Sequence, residues 1–181
     1  MRVIEYLMGD ATQPILVPGY LHMICHCCNA FGGWGRGFVV PLGKRYPKAK
    51  QDYETFCKPF QDTNAHRCEL MGKVCFSQVA PNLIIANIIG QYFYSRNQRQ
   101  FRLQEGIASM FLPTAEGRFV CYEAIENGLK LVSTYTADNN LPIVVHMPRI
   151  GCGLAGGDWS IIESLLQKHL CDNDIFVNVY D

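Results

Sequence analysis

The chain has 181 residues and a mass of 20.5 kDa, a length that fits one domain. Its apolar fraction of 49% can build a core and lies far from the composition of a disordered chain. Basic and acidic residues balance at 16 each, so the chain lacks the broad positive field that non-specific nucleic-acid binding requires. Local geometry must therefore hold any anionic ligand.

The hydrophobic pattern alternates between strand-like and helix-like segments along the chain. The first part of the chain is predicted to contain a strand at 2–8, a turn at 9–12, a strand at 20–28, a glycine-rich loop at 32–37, and helices at 38–45 and 48–60 separated at Pro47. The middle part is predicted to contain strands at 72–79 and 83–89 joined by Pro81-Asn82, a loop at 92–102 with Arg96, Arg99 and Arg102, and a helix at 119–135. The last part is predicted to contain a strand at 142–147, a second glycine-rich loop at 148–157, a helix capped by Asp158 or Ser160 with Trp159, Ile162, Leu166 and Leu170 on its inner face, and a strand at 175–180. This alternation indicates a three-layer α/β/α sandwich with a central mixed sheet, formed as a single domain over residues 1–181.

Nine cysteines occur at irregular spacings, which argues against a disulfide framework and favours reduced thiols used as small core residues. Cys25, His26, Cys27 and Cys28 are adjacent in sequence and have the side chains that bind zinc. On a strand, His26 and Cys28 face one side and Cys25 and Cys27 the other, so the four cannot converge on one ion. We expect no metal and no cofactor.

The sequence shows the pattern of neither a signal peptide nor a membrane span. Residues 1–10 lack the apolar run of a signal peptide, and no stretch approaches the roughly 18 apolar residues of a membrane span. We therefore expect a cytoplasmic protein with no membrane partner.

Two strand–loop–helix units carry the chemistry. A glycine-rich loop that follows a strand and opens a helix presents unpaired N–H groups near the positive end of the helix dipole, which suits phosphate oxygens. In an open α/β sheet both loops emerge where ligands bind, at the carboxyl ends of the strands. The alternative is that each loop is only a tight turn, since neither matches a P-loop or a G-x-G-x-x-G fingerprint in proper context.

Three polar residues near these loops each have two interpretations. His26 is either a general base or nucleophile, or a hydrogen-bonded core histidine. Asn29 either binds sugar hydroxyls or caps the turn, and Asp10 either accepts from an exocyclic amine or forms an Asx turn. His146 precedes the second loop and fits either a functional or a structural role. The remaining histidines are interpreted as structural or surface residues, namely His22, His66 and His169.

Three motifs together resemble the macrodomain family over nearly the whole chain. They are Gly9-Asp10-Ala11-Thr12, then His26-Cys27-Cys28-Asn29 with Gly32-Gly33-Trp34-Gly35-Arg36-Gly37-Phe38, and finally residues 147–159, Met-Pro-Arg-Ile-Gly-Cys-Gly-Leu-Ala-Gly-Gly-Asp-Trp. The His-x-Cys-Asn version resembles the ADP-ribose 1″-phosphate phosphatase branch of that family.

The resemblance implies a role for each matching position. Asp10 would bind the adenine amine and Ala11 would add its backbone amide. His26, which matches the histidine implicated in phosphate removal, and Asn29 are the expected catalytic residues. Trp34 would either wall the ribose pocket or pack in the core. The distal ribose would be surrounded by Asn29, Gly32, Gly33, Trp34, Gly35, Arg36 and Gly37. The diphosphate would be wrapped by Gly151, Cys152, Gly153, Leu154, Ala155 and Gly156, with Arg36 or Arg149 holding anionic groups.

A sister branch cleaves ADP-ribose from glutamate side chains or DNA bases with a lysine on the middle strand and, in some members, an aspartate in the second loop. Here the corresponding strand, residues 84–91, has no lysine, and position 155 is alanine. The expectation is therefore a monomeric, metal-independent phosphatase acting on ADP-ribose 1″-phosphate, with a small-molecule ADP-ribose derivative as its partner. The alternatives are an ADP-ribosyl hydrolase and a non-catalytic ADP-ribose reader.

Overall fold

A computed structural model describes residues 2–94 and 105–181, so Arg96, Arg99 and Arg102 of the expected 92–102 loop lie outside the described residues. The described chain forms a six-stranded sheet in the order β1-β6-β5-β2-β4-β3. All neighbouring strands are parallel except β3, which pairs antiparallel with β4. The strands are β1 Ile4–Leu7, β2 Leu21–Asn29, β3 Val74–Ala80, β4 Leu83–Gln91, β5 Ile143–Pro148 and β6 Phe176–Tyr180.

Helices cover both faces of this sheet. The α-helices are α1 Val39–Arg45, α2 Pro47–Cys57, α3 Asn64–Cys68, α4 Tyr122–Ala137 and α5 Trp159–His169, with 3₁₀ turns at Lys58–Phe60, Ser109–Phe111 and Cys171–Asn173. Pro47 occupies the first position of α2, where its missing N–H costs nothing. The sequence did not predict α3, a five-residue helix capped by the Thr63 side chain.

Two apolar layers result, and they confirm the predicted α/β/α architecture. On one face, Ile125 of α4 and Leu166 of α5 pack against Cys25 and Val145 of the sheet. On the other face, α1 and α2 cover Ile24 and Cys28. All of these side chains are essentially inaccessible to solvent, which is the main source of stability in such a domain.

The central strand β2 shows the predicted alternation. Cys25 and Cys27 pack in the layer of α4 and α5, whereas His26 and Cys28 face the layer of the first glycine-rich loop and α2. The four side chains therefore do not converge. In the part of the chain that the structure describes, no helix is long and apolar enough to cross a membrane.

The ends of α5 match their sequence signals. The Asp158 carboxylate accepts from the N–H of Ser160 at 2.9 Å and so caps the helix. Ile162, Leu166 and Leu170 are fully buried on its inner face, and Trp159 is partly buried beside them.

Candidate functional site

A cavity of about 870 Å³ opens at the carboxyl ends of β2, β4 and β5. In the sheet, β2 lies between β4 and β5. The loops that follow these strands diverge at this edge of the open sheet and leave a crevice between them. The size lies within the range of small-molecule sites. It is lined by His26, Cys27, Cys28, Asn29, Gly33, Gly35, Arg36, Gly37, Phe38, Val39, Gln91, Phe93, Tyr94, Phe119, Pro148, Arg149, Ile150, Gly151, Gly153, Leu154 and Ala155.

Asn29 holds the first glycine-rich loop in shape. Its Oδ1 accepts from the N–H groups of Phe31 at 2.9 Å and Gly33 at 3.0 Å, and its Nδ2 donates to the Gly33 carbonyl at 2.9 Å. Gly32 and Gly37 adopt φ values of 74° and 79°, which side-chain-bearing residues rarely reach. Asn29 thus caps the turn while its side chain also lines the cavity.

The second glycine-rich loop offers main-chain donors to the cavity. Its turns use the N–H groups of Cys152, Gly156 and Gly157, which donate to carbonyls within the loop. Among the described residues, the N–H groups of Gly151, Gly153, Leu154 and Ala155 have no hydrogen-bond acceptor, and all four residues line the cavity. A run of free amides along one wall is a site for anionic oxygens.

The free donors belong to this loop rather than to the first turn of α5. The Asp158 carboxylate already occupies that helix terminus, and its hydrogen bonds to Ser160 lower the pKa of Asp158. The free donors therefore come from the loop conformation, and the expected contribution of a helix start is not seen at α5. In the first loop, the following helix α1 begins at Val39 and has only seven residues.

His26 lies on the cavity floor and is 1% exposed. Its Nε2 is 2.6 Å from Oδ1 of Asn87, and its Nδ1 is 3.5 Å from the thiol sulfur of Cys28. Burial lowers the pKa of His26 to about 4, although the hydrogen bond with Asn87 acts in the opposite direction. The imidazole is therefore neutral at physiological pH and can act as a base.

Trp34 does not line the cavity. Its ring stands 5.5 Å from the His26 ring in an edge-on arrangement and 5.3 Å from the Tyr53 ring. The indole Nε1 is buried with no hydrogen-bond partner among the described residues. A methyl group at Gly43 would lie 2.3 Å from this nitrogen. Of the two expected roles, the geometry favours packing behind His26.

Asp10 forms the Asx turn that the sequence offered as one of its two roles. Its Oδ1 accepts from the N–H of Thr12 at 2.8 Å, and its Oδ2 accepts from Gln13 at 2.9 Å. These hydrogen bonds lower the pKa of Asp10. The turn follows β1 at the carboxyl edge of the sheet, but neither Asp10 nor Ala11 lines the cavity.

The two expected arginines differ in their surroundings. Arg149 forms a bidentate ion pair with Asp181, at 2.6 Å and 2.8 Å, and its guanidinium lies over the Trp159 ring at 5.1 Å. Its charge is thus already partly balanced. Arg36 is exposed on the cavity rim and forms no ion pair within residues 2–94 and 105–181.

The structure brings most of the expected site residues to one cavity. Those that line it are His26, Asn29, Gly33, Gly35, Arg36, Gly37, Arg149, Gly151, Gly153, Leu154 and Ala155. Those that do not are Asp10, Ala11, Gly32, Trp34, Cys152 and Gly156. The sequence did not predict Asn87 or the aromatic residues that line the cavity, namely Phe38, Phe93, Tyr94 and Phe119. Parallel pairing of β2 with β4 sets Asn87 opposite His26, and the sequence alone does not reveal that register.

The other histidines lie outside the cavity. His146 and His22 are buried together, with their facing ring nitrogens 2.9 Å apart, and His146 also contacts the hydroxyl of Tyr180 at 3.0 Å. This resolves the open role of His146 as part of a core hydrogen-bond network. His66 and His169 contact Asp62 and Glu126 respectively.

The described cavity wall contains no lysine and no carboxylate, and Ala155 contributes only a methyl group. Within residues 2–94 and 105–181, no three His, Cys, Asp or Glu side chains are grouped to hold a metal ion. The site therefore combines neutral amide donors, one rim arginine, one buried neutral imidazole and aromatic walls.

These features define an α/β domain with a cavity at the carboxyl edge of its sheet, lined in part by main-chain donors without acceptors among the described residues. No family model matches the sequence. A macrodomain protein from Streptomyces coelicolor is 34% identical, with 98% of each chain covered and a TM-score of 0.72. A Bacteroides thetaiotaomicron protein of unknown function is 35% identical, with 99% of this chain and 98% of that chain covered and a TM-score of 0.79. The chain belongs to the macrodomain family.

A curated relative shares nearly its full length with this chain. The ADP-ribose 1″-phosphate phosphatase of Candida albicans is 24% identical over 180 residues, which covers 98% of this chain and 99% of the relative. The similarity thus extends across the whole domain, including both glycine-rich loops and the strand that carries His26.

Proposed function

We propose that this macrodomain is a phosphatase that hydrolyses ADP-ribose 1″-phosphate to ADP-ribose and inorganic phosphate. The observation that carries the proposal is a neutral, buried imidazole, His26, on the floor of a cavity walled by two glycine-rich loops. The full-length similarity to a yeast enzyme of that name supports the same conclusion.

The second loop would bind the diphosphate. Free N–H groups at Gly151, Gly153, Leu154 and Ala155 donate without carrying a net charge, so they hold an anion in a protein whose formal charge is zero. Arg36 on the rim would add one positive charge near the same ligand. The first loop, braced by Asn29, would surround the distal ribose.

His26 would act as the base that activates water. Its two ring nitrogens contact Asn87 and Cys28 and its ring is almost wholly buried, which favours proton transfer over direct attack on phosphorus. The water oxygen bonds to phosphorus, its proton passes to His26, and the bond from phosphorus to the 1″ oxygen breaks. That oxygen takes the proton back from His26 and leaves as the hydroxyl of ADP-ribose, which returns His26 to its neutral form.

The cavity wall supports phosphate removal over cleavage of a glycosidic bond. The sister branch relies on a lysine and, in some members, on an aspartate in the second loop. The described wall has neither, and Ala155 lies where the aspartate would be. No group with that chemistry is therefore placed against the ribose in the described part of the chain.

Phosphate release from ADP-ribose 1″-phosphate tests the proposal directly. The wild-type protein should release phosphate, and His26→Ala should lose about 10²–10⁴ in kcat, the usual contribution of a well-placed base. Calorimetry should show that the variant still binds ADP-ribose. His66→Ala, at a partly buried histidine that does not line the cavity, is the matched control and should turn over normally.

Two outcomes would refute the phosphatase assignment. Cleavage of ADP-ribosylated protein or DNA without phosphate release would identify a hydrolase of the sister type. Tight ADP-ribose binding without turnover of either substrate would identify a reader module. Normal turnover by His26→Ala would remove the role given to His26.

We also propose that the reaction needs no metal ion and that the protein acts as a cytoplasmic monomer. The donors described above are main-chain amides, which need no ion to bind phosphate. Excess EDTA should leave turnover unchanged, and light scattering should report a mass near 20.5 kDa. Loss of activity that Mg²⁺ restores would contradict the metal-independent mechanism.

A further inference from the structure

The carboxamide of Asn87 has a fixed orientation beneath His26. Parallel pairing of β2 with β4 sets the two residues opposite each other, and Oδ1 of Asn87 lies 2.6 Å from Nε2 of His26. On its other side, Nδ2 of Asn87 donates to the carbonyl of Cys75 at 3.2 Å. A flipped amide would set its oxygen against that carbonyl, so the network assigns the oxygen to His26.

This contact determines which nitrogen of His26 carries the proton. An amide oxygen can only accept, so Nε2 must be protonated and the lone pair of the neutral ring must lie on Nδ1. The sulfur of Cys28 lies 3.5 Å from Nδ1 and 3.7 Å from Nε2, and with Nε2 donating to Asn87 only Nδ1 has a free lone pair on this side. A thiol is a weak donor, so a water or substrate oxygen can replace it at that nitrogen.

The groups around His26 are uncharged. They are Cys28 on its own strand, Asn87 on β4, and the rings of Trp34 and Phe38 at 5.5 Å and 5.7 Å. No charged side chain among the described residues contacts the ring. Asn87 is therefore the one strong polar contact that can orient it.

We propose that Asn87 is a positioning residue that holds His26 in its Nε2–H tautomer, with the basic Nδ1 on the side of Cys28 at the cavity floor. This inference rests on the proposed function and adds which nitrogen takes the proton from water. The logic is that of a base held by a third group, as in hydrolases whose histidine is oriented by an asparagine.

Two substitutions at Asn87 separate positioning from simple packing. Asn87→Leu keeps the volume but removes the acceptor, and it should lower kcat by about 10–100-fold with little change in KM, as loss of an orienting partner typically does. Asn87→Asp keeps an acceptor oxygen and adds a negative charge, so it should move the acid limb of the pH–rate profile upward by about 1–3 pH units. Ser77→Ala on β3 is the buried control, because Ser77 does not contact His26.

Nitrogen-15 NMR of the histidine rings tests the tautomer without any turnover. The wild-type protein should show His26 protonated at Nε2, and Asn87→Leu should show a mixture of tautomers. A wild-type ring protonated at Nδ1, or an acid limb that Asn87→Asp does not move, would overturn the inference. Absence of phosphate release by the wild type would overturn the proposed function instead, and the NMR result would still decide whether Asn87 sets the tautomer. If Asn87→Leu fails to fold, the wild-type spectrum and Asn87→Asp decide.

Discussion

Mild acid should destabilise this protein before its carboxylates begin to titrate. Burial lowers the pKa of both His26 and His146 to about 4, against an ordinary value of 6.5. Because each folded-state pKa lies below the unfolded value, the unfolded chain binds more protons between these pH values. The stability of the native state is therefore complete above pH 6.5 and falls as the pH drops toward 4.

The size of the effect follows from linkage. Lowering the pH from 8 to 5 should reduce the free energy of unfolding by about 2 kcal/mol for each of these histidines, or roughly 4 kcal/mol together. That is a large share of the ~5–15 kcal/mol by which small domains are stable. The carboxyl group of Glu126 adds little between pH 8 and 5, because hydrogen bonds with Lys168 and His169 lower its pKa from 4.5 to about 2 and its stabilisation is lost mainly below pH 4.5.

Urea unfolding followed by far-ultraviolet circular dichroism at pH 8, 7, 6 and 5 measures this dependence. His26→Gln and His146→Gln should each remove about half of the drop, whatever their absolute stability. A wild-type free energy of unfolding that stays constant from pH 7 to pH 5 would refute the reasoning. An undiminished drop in both buried-histidine variants would do the same.

Four further substitutions test the second glycine-rich loop, the cap of α5 and the ion pair of Asp181. Gly157→Ala places a methyl group 2.7 Å from the Gly151 carbonyl oxygen, so it should cost about 1–3 kcal/mol in urea unfolding and weaken ADP-ribose binding by calorimetry. Gly153→Ala meets nothing within 4 Å, so its stability should stay within about 0.5 kcal/mol of wild type. Asp158→Ala removes the cap of α5 and should lower the free energy of unfolding by about 0.5–2 kcal/mol. Asp181→Asn breaks an exposed ion pair and should change it by less than about 1 kcal/mol, so a larger loss would reveal a network role.

The fold and most of the cavity were predictable because they depend on local patterns. Apolar runs of strand length and the two glycine-rich segments are visible in sequence, and parallel topology brings both loops to one edge. Helix α3 was missed, since five residues are too few to show helical periodicity. The predicted separation of two helices at Pro47 is confirmed, and Pro47 is itself the first residue of the second helix.

The roles of individual polar residues depended on contacts that no spacing rule reveals. The Asn29 side-chain oxygen accepts two hydrogen bonds from the first glycine-rich loop, and the Asp10 carboxylate accepts hydrogen bonds within its own turn. Arg149 pairs with Asp181, which lies 32 residues away in sequence. Asn87 acquires its relation to His26 only through strand register, which the sequence of β4 alone does not fix.

Main-chain donors in the second glycine-rich loop have a consequence for evolution. No side-chain substitution can delete an amide hydrogen other than a change to proline, so the chemistry of this wall is encoded in backbone shape rather than in residue identity. The residue is restricted at Gly151 and Gly156, whose φ is 71°, and at Gly157, where a methyl group would lie 2.7 Å from the Gly151 carbonyl oxygen. A pocket whose donors are main-chain amides can therefore keep its ligand chemistry while many of its side chains change. Paralogues with new substrates need alter only the side chains that line the rest of the cavity.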